Sequence, residues 1–239
     1  MSDKPPVRTK APRAARPART ASPEAKPRGP GRPRLELGKP NPSAKTRLIE
    51  VAIPLFAAYG YDAVSTGQIA RAAGVTQPMV HYHFKTKDRI WYAAIESLMR
   101  DLSTRFPNRR EELKDLEPLA RLKVLTRRFI LMSAADTTLT RIIVHESLTN
   151  SERLRWLVRH YVSRGFRDFD NAIVDGIKAG QLKDLPVYSV SNTIISASTF
   201  TFCLAGMVKL VHDKNVSSEA VVHDMADSII EILFHGIAA

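Results

Sequence analysis

Apolar residues recur at helical spacing along most of the chain from residue 43 onward. The first such segment has apolar side chains three or four positions apart, at Leu48, Val51, Ala52, Leu55 and Phe56. This spacing places them on one face of a helix, which Ser43 is expected to cap and Gly60 to end. Pro54 removes one backbone hydrogen bond and is expected to bend the helix. Further apolar periodicity predicts helices at roughly 87–105, 117–134, 137–149, 152–179, 187–213 and 217–237.

Two short helices joined by a tight turn are predicted directly after the first helix. Ser65 and Gln68 have the S-x-x-Q spacing of a capping box, which marks the start of one helix. Gly74 ends that helix, and Thr76 is expected to cap the next one, with Pro78 tolerated in its first turn. This arrangement is typical of a helix-turn-helix, whose second helix lies in the DNA major groove.

The predicted recognition helix, residues 76–84, has one apolar face and one polar face. Val80 and Phe84 are four residues apart and are expected to face inward. Gln77 has the amide that can bond two base atoms, and Met79 can contact a thymine methyl group. The side chains suited to phosphate and sugar contacts are His81, Tyr82, His83 and Lys87.

The stretch VSTGQIARAAGVTQPMVHYHFKTKDRIWYAAI, with its YHFKTKD run at Tyr82–Asp88, resembles the DNA-binding domain of the TetR family of bacterial transcriptional regulators. Two departures from the family pattern stand out. Pro54 is unusual in the first helix, and His81 replaces a more common tyrosine, so its phosphate contact is expected to be weaker or pH-sensitive. The resemblance implies DNA contacts at Thr66, Gly67, Gln77, Pro78, Met79, His81, Tyr82, His83 and Lys87.

The positive charge is concentrated at the N-terminal end. The chain has a net charge of +12, and residues 1–42 hold 11 Lys/Arg, 3 acidic residues and 10 of the 15 prolines. This composition predicts a disordered basic tail. Its RGPGRPR stretch resembles an AT-hook, in which Arg32 enters a narrow minor groove of double-stranded DNA. An inert linker and an organellar transit peptide are the alternatives for the tail.

The predicted organisation is an all-α chain in three parts. Residues 1–42 form the tail, 43–98 the helix-turn-helix domain, and 99–239 a helical body. No charged residue lies between Val190 and Val208, so that helix needs cover on most sides. The resemblance implies that the last two helices form a homodimer interface, whereas partial burial in a monomer is the alternative. The candidate interface residues are Ile194, Ile195, Ala197, Thr201, Leu204, Val208, Met225, Ile229 and Ile232.

The resemblance also implies a small-molecule effector bound in the body. The segments that hold the candidate lining residues supply few buried charges, which favours an apolar effector. Plain core packing is the alternative for every candidate, since aromatic stripes at helical spacing usually form core. The candidate lining residues are Phe129, Met132, Ile143, Trp156, Tyr161, Phe166, Phe169, Phe200 and Phe202.

Several classes of protein are disfavoured by the sequence. Cys203 is the only cysteine, so a reducing, cytoplasmic compartment is expected. No charge-free apolar run reaches ~18 residues, so no membrane span is expected. His81 and His83, two apart on a helix, point in different directions and are not expected to bind metal. A zinc-protease motif fails because Thr149 stands where histidine is required, and no enzyme or cofactor motif is found.

Together these features predict a ligand-responsive transcriptional regulator, a repressor that binds a palindromic operator as a dimer. A constitutive DNA-binding protein dominated by its tail is the main alternative, and a helical enzyme is a more distant one.

Overall fold

The computed structural model describes residues 42–107 and 110–237, and within them the fold is all-α with no β-strand. Arg32 and nearly all of the predicted tail lie outside these residues. The first four helices are α1 (Ala44–Ala63), α2 (Thr66–Ala72), α3 (Gln77–Phe84) and α4 (Lys87–Arg105). A 3-10 turn at Arg110–Leu113 precedes α5 (Pro118–Ala135), α6 (Thr138–Thr149) and α7 (Glu152–Leu157). A π-helical turn at Val158–Val162 leads into α8 (Ser163–Lys178), followed by α9 (Val187–Cys203), α10 (Ala205–His212) and α11 (Glu219–Ile237).

Helix α1 begins as predicted, with the Ser43 hydroxyl accepting a hydrogen bond from the Thr46 amide at 3.1 Å. Pro54 is exposed and keeps helical dihedral angles; the one non-helical residue of α1 is Gly60, at φ 75°. The break in the helix therefore occurs at Gly60 rather than at the proline. A Cβ on Gly60 would lie 3.0 Å from Nδ1 of His145, so α1 and α6 approach closely there.

The helix-turn-helix forms largely as its sequence predicts. Ser65 and Gln68 make the full capping box at the start of α2, and Val80 and Phe84 are buried at 2% and 4% exposure. Thr76 occupies the N-cap position of α3, as predicted, but its side chain makes no capping hydrogen bond. The buried face of α3 therefore holds this helix on α1 and α2.

The core of the helix-turn-helix continues into the body without a gap. One apolar cluster joins Leu48, Phe56 and Trp91 of the first four helices with Ile142 of α6 and Leu157 of α7. Helix α4 also runs through the predicted boundary between residues 98 and 99. The first four helices, called the head below, thus share packed side chains with the body.

The body contains two further apolar clusters. One is centred on Leu122, Phe169 and Ile194, where α5, α8 and α9 meet, and the other on Ile130 and Phe202. Two predicted long helices are interrupted: the π-helical turn divides the first, and the second bends by 71° between α9 and α10.

No single helix in residues 42–107 and 110–237 is long and apolar enough to cross a membrane. Helices α9 and α10 pass that test only as a pair, by length and composition.

Candidate functional site

The outer edge of α3 presents a row of exposed side chains. Met79 is 37% exposed and Tyr82 is 77% exposed, and Gln77, Pro78 and His81 are exposed as well. Because Val80 and Phe84 anchor the opposite face, the side chains around them are held outward in a fixed order. The N-terminal turn of α3 is therefore free to approach the edges of bases.

Helix α2 contributes its first turn to the same surface. A Cβ on Gly67 would lie 3.7 Å from Oε1 of Gln77, and both Thr66 and Gly67 are half-buried. The structure thus brings Thr66, Gly67 and Gln77 together, although ten residues separate the glycine from the glutamine. The first turn of α2 and the first turn of α3 therefore lie side by side at this surface.

The two histidines of α3 have different environments. His81 is exposed, with Nδ1 3.5 Å from the Lys85 carbonyl, whereas His83 is half-buried against Tyr82. Nε2 of His83 is buried and has no hydrogen-bond partner among the described residues. Within the same part of the chain, no group of three His, Cys, Asp or Glu side chains is placed to hold a metal ion.

Lys87 begins α4 beside α3, and its ammonium group already makes two hydrogen bonds within the protein. Nζ donates to the carbonyls of Tyr61 at 2.9 Å and Val64 at 3.0 Å. It also lies 4.0 Å from the centre of the Tyr61 ring. Lys87 thus closes the end of α1, and the third N–H donor of its ammonium group is left for the predicted phosphate contact.

Tyr61 lies between two cations and joins the head to α7. The guanidinium carbon of Arg153 stands 3.5 Å from its ring centre, and the phenol donates to Oδ1 of Asp88 at 2.9 Å. Burial and the hydrogen bond to Asp88 raise the pKa of Tyr61 well above its usual value, so the phenol remains a donor.

The Arg153 side chain continues this connection into the body. Its Nε donates to both carboxylate oxygens of Glu146, at 3.2 and 3.1 Å, and Ser151 donates to the same carboxylate at 2.5 Å. Glu146 is only 2% exposed. Arg153, Tyr61 and Glu146, called the Tyr61 stack below, were not found from the sequence, because residues 92 positions apart give no local signal.

The head also matches a known domain. Residues 48–93, from within α1 to within α4, match the family described as bacterial regulatory proteins, tetR family. These residues form a DNA-binding domain of the TetR type. The predicted resemblance is confirmed, and the chain is a DNA-binding transcription regulator with a helix-turn-helix rather than an enzyme.

Relatives of this chain include a metabolic regulator and a nucleoid occlusion factor. It is 26% identical to a fatty acid metabolism regulator protein of Bacillus subtilis over 143 residues, 58% of this chain and 70% of that one. It is 21% identical to the nucleoid occlusion factor SlmA of Citrobacter koseri over 168 residues, 70% of this chain and 82% of that one. The crystal structure of AibR with isovaleryl coenzyme A and operator DNA has the same fold, at 17% identity and a TM-score of 0.63, covering 80% of this chain and 98% of AibR.

Most of the candidate dimer residues of this chain are half-buried. Ile232 is 73% exposed, whereas Ile194 is 1% exposed and packs in the core of its own protomer. A groove of about 540 Å³ runs along α9 and α10. The predicted interface residues that line it are Ala197, Thr201, Leu204 and Val208. The half-buried candidates outside the groove are Ile195, Met225 and Ile229.

The candidate effector residues do not gather around one cavity. Ile143, Trp156 and Tyr161 pack on the core that contains the head, whereas Phe129 and Phe169 pack edge to face in the α5–α8 cluster. Phe202 lies in the third cluster, and Phe200, 49% exposed, lines the groove on α9. Met132 and Phe166 are half-buried. Sequence periodicity did not separate these clusters and did not show that Phe200 is exposed.

Replacing Gln77 by alanine is expected to weaken binding to the specific operator by about 1–3 kcal/mol, because one bidentate base contact is lost. Gln77 is exposed, so the fold is expected to be unchanged. Binding to operator and to an unrelated duplex, measured by fluorescence anisotropy, separates base readout from backbone contact. An unchanged ratio of the two affinities would remove Gln77 from base readout.

Proposed function

We propose that this TetR-family chain is an effector-responsive repressor that binds a palindromic operator as a homodimer. The observation that carries the proposal is the exposed edge of α3, where Gln77, Met79 and Tyr82 are held outward by a buried opposite face. Direct readout needs this pairing of fixed backbone and accessible side chains. Three further predicted DNA contacts, Thr66, Gly67 and His81, lie at or beside the same edge.

Dimerisation is supported by the apolar surface of the last helices. The groove along α9 and α10 is lined by Phe200, Leu204 and Met207, and Ile232 adds a largely exposed apolar side chain on α11. Large apolar side chains grouped at a surface favour a protein partner. A second copy satisfies this and also provides the second recognition helix that a palindrome requires.

An effector response is supported by the connection between body and head. Helix α7 contacts the head through the Tyr61 stack, and α6 meets α1 at Gly60. A ligand that favours one placement of α7 over another would thus shift the head between two positions. The fatty acid regulator among the relatives and the isovaleryl coenzyme A in the AibR crystal indicate acyl compounds as the first effectors to test.

The experiment that tests this function is selection of bound fragments from a genomic DNA pool by the purified chain at ~0.15 M salt. We expect a palindrome whose half-sites are about one helical turn apart, or a multiple of it. Enrichment of A·T-rich DNA without a palindrome would contradict the proposal. It would instead favour a constitutive DNA-binding protein.

That constitutive alternative has one observation in its favour. The nucleoid occlusion factor among the relatives aligns with more of this chain than the fatty acid regulator does, 70% against 58%. In this alternative the body serves for dimerisation alone, and the basic tail provides much of the affinity. We place either form in the bacterial cytoplasm, associated with the nucleoid when bound to DNA.

Deleting residues 1–41 tests the contribution of the tail, including Arg32. Log affinity falls with log salt concentration. If the tail neutralises phosphates, each lost contact makes this negative slope less steep by about 0.9. The slope is measured for the full and the shortened chain on the same operator, with circular dichroism as a control for folding. Equal slopes would show that the tail does not touch DNA.

A further inference from the structure

A second groove lies between α4 and the π-helical turn, with a volume of about 650 Å³. This is within the range of small-molecule sites, about 300–1,000 Å³. Met99 and Tyr161 form its apolar part, and Tyr161 is the one predicted effector residue that lines it. A Cβ on Gly165 would meet no atom within 4 Å, so space remains open beside the start of α8.

The groove carries two arginines whose guanidinium groups are not held in an ion pair with a described carboxylate. Arg100 on α4 and Arg164 on α8 both line it, and neither forms an ion pair within residues 42–107 and 110–237. Nearby arginines differ in this respect. Arg105 pairs with Asp101 and Asp136, and Arg153 pairs with Glu146.

The acidic residues of the groove restrict the ligand further. Glu96 and Asp168 also line it. Burial and the charge of Glu96 raise the pKa of the Tyr161 phenol, while Arg100 acts in the opposite direction. Glu96 and Arg100 therefore both act on the Tyr161 end of the groove, and Glu96 opposes a ligand with several negative charges there.

We infer that this groove binds a small amphipathic anion. Its carboxylate or phosphate group would lie on Arg100 and Arg164, and its apolar part over Met99 and Tyr161. A guanidinium presents paired donors that match the oxygens of a carboxylate or phosphate group. This changes the apolar effector expected from the sequence to an amphipathic one. The inference deepens the proposed function and rests on it for the regulatory role, but the binding site stands on the groove alone.

The groove is also placed to influence the head. Tyr161 packs on Trp156 with ring centres 5.5 Å apart, and Trp156 packs on Tyr92 and on the fully buried Trp91 at 4.8 and 6.0 Å. The π-helical turn follows α7 directly, and α7 carries Arg153. A ligand that moves Tyr161 therefore acts on side chains that touch the core of the head.

Trp91 and Trp156 are the two tryptophans of the chain, so ligand binding near Trp156 is expected to change its intrinsic fluorescence. The purified full chain is titrated separately with decanoate, decanoyl coenzyme A and inorganic phosphate. Decanoate and decanoyl coenzyme A distinguish a free carboxylate from a phosphate-bearing compound. Inorganic phosphate tests the anionic group without an apolar part. We expect saturable binding of at least one of the two decanoyl compounds, tighter than that of phosphate.

The deciding variant is the double change Arg100→Ala with Arg164→Ala, which is expected to weaken binding at least about tenfold. Arg159→Ala removes an exposed arginine from the π-helical turn that does not line the groove, and binding is expected to stay as in the wild type. Arg164→Lys keeps the charge but not the paired donors and is expected to give an intermediate affinity.

The outcomes separate the site from its regulatory role. No saturable binding of either decanoyl compound, or equal affinity in the double variant and the wild type, would overturn the groove as a ligand site. Binding that depends on both arginines, without any effect of the ligand on operator affinity, would establish the site while refuting the effector-responsive function. If ligand binding and the effect of the ligand on operator affinity both require the two arginines, the site and its regulatory role are both supported.

Discussion

Replacing Arg153 by alanine is expected to destabilise the protein by about 3–5 kcal/mol, because it leaves a buried carboxylate without its cation. Glu146 is 2% exposed, and Arg153 and Ser151 are its partners in the structure. The change also removes the guanidinium from the face of Tyr61. The free energy of unfolding is measured by urea denaturation followed by circular dichroism.

A neighbouring arginine provides the matched control. Arg155 pairs with Glu152 at the surface, where ion pairs contribute little, so Arg155→Ala is expected to unfold close to the wild type. Combining Arg153→Ala with Glu146→Gln removes both charges and is expected to recover part of the lost stability. If Arg153→Ala unfolds at the same urea concentration as Arg155→Ala, the buried pair does not stabilise this fold.

Replacing Ile232 by glutamate is expected to weaken the homodimer at least about 100-fold, because burying an unpaired charge in an interface costs several kcal/mol. Ile232 is 73% exposed in the protomer, so the variant is expected to fold. Sedimentation equilibrium of wild type and variant at the same concentrations gives the dissociation constants. Binding to a palindromic operator is expected to fall in parallel, since two heads no longer bind together.

Leu148→Glu is the control for this change. Leu148 is 81% exposed on α6, outside the candidate interface, so the same substitution there adds a surface charge without affecting association. Equal dissociation constants for Ile232→Glu and Leu148→Glu would place α11 outside the interface. A wild-type chain that is monomeric at micromolar concentration would refute the homodimer itself.

The head is the part of the fold that its sequence predicts well, because local signals decide it. The capping box of Ser65 and Gln68 and the four-residue spacing of Val80 and Phe84 each act within a few residues, and each was found in the structure. Thr76 shows the limit of such signals. A residue type suited to capping precedes α3, yet its side chain makes no capping bond.

The functional parts of the body depend on contacts between distant residues and could not be predicted in the same way. Periodicity correctly identified Phe169 and Phe202 as buried, but it does not say which cluster each enters. The spacing of apolar residues does not reveal the π-helical turn, although this turn places His160 and Tyr161 at the second groove. Charge pairing is equally hidden, since Arg153 and Arg164 differ only in their spatial neighbours.

The shared core of head and body has a consequence for engineering. A fragment that ends near residue 98 would lose the packing of Ile142 and Leu157 and expose the apolar surface they cover. Attaching this head to another body, or another head to this one, would therefore require matched side chains on α6 and α7. The DNA-reading surface is thus not an exchangeable module, and redirecting it to a new operator is better done by substitutions on α3.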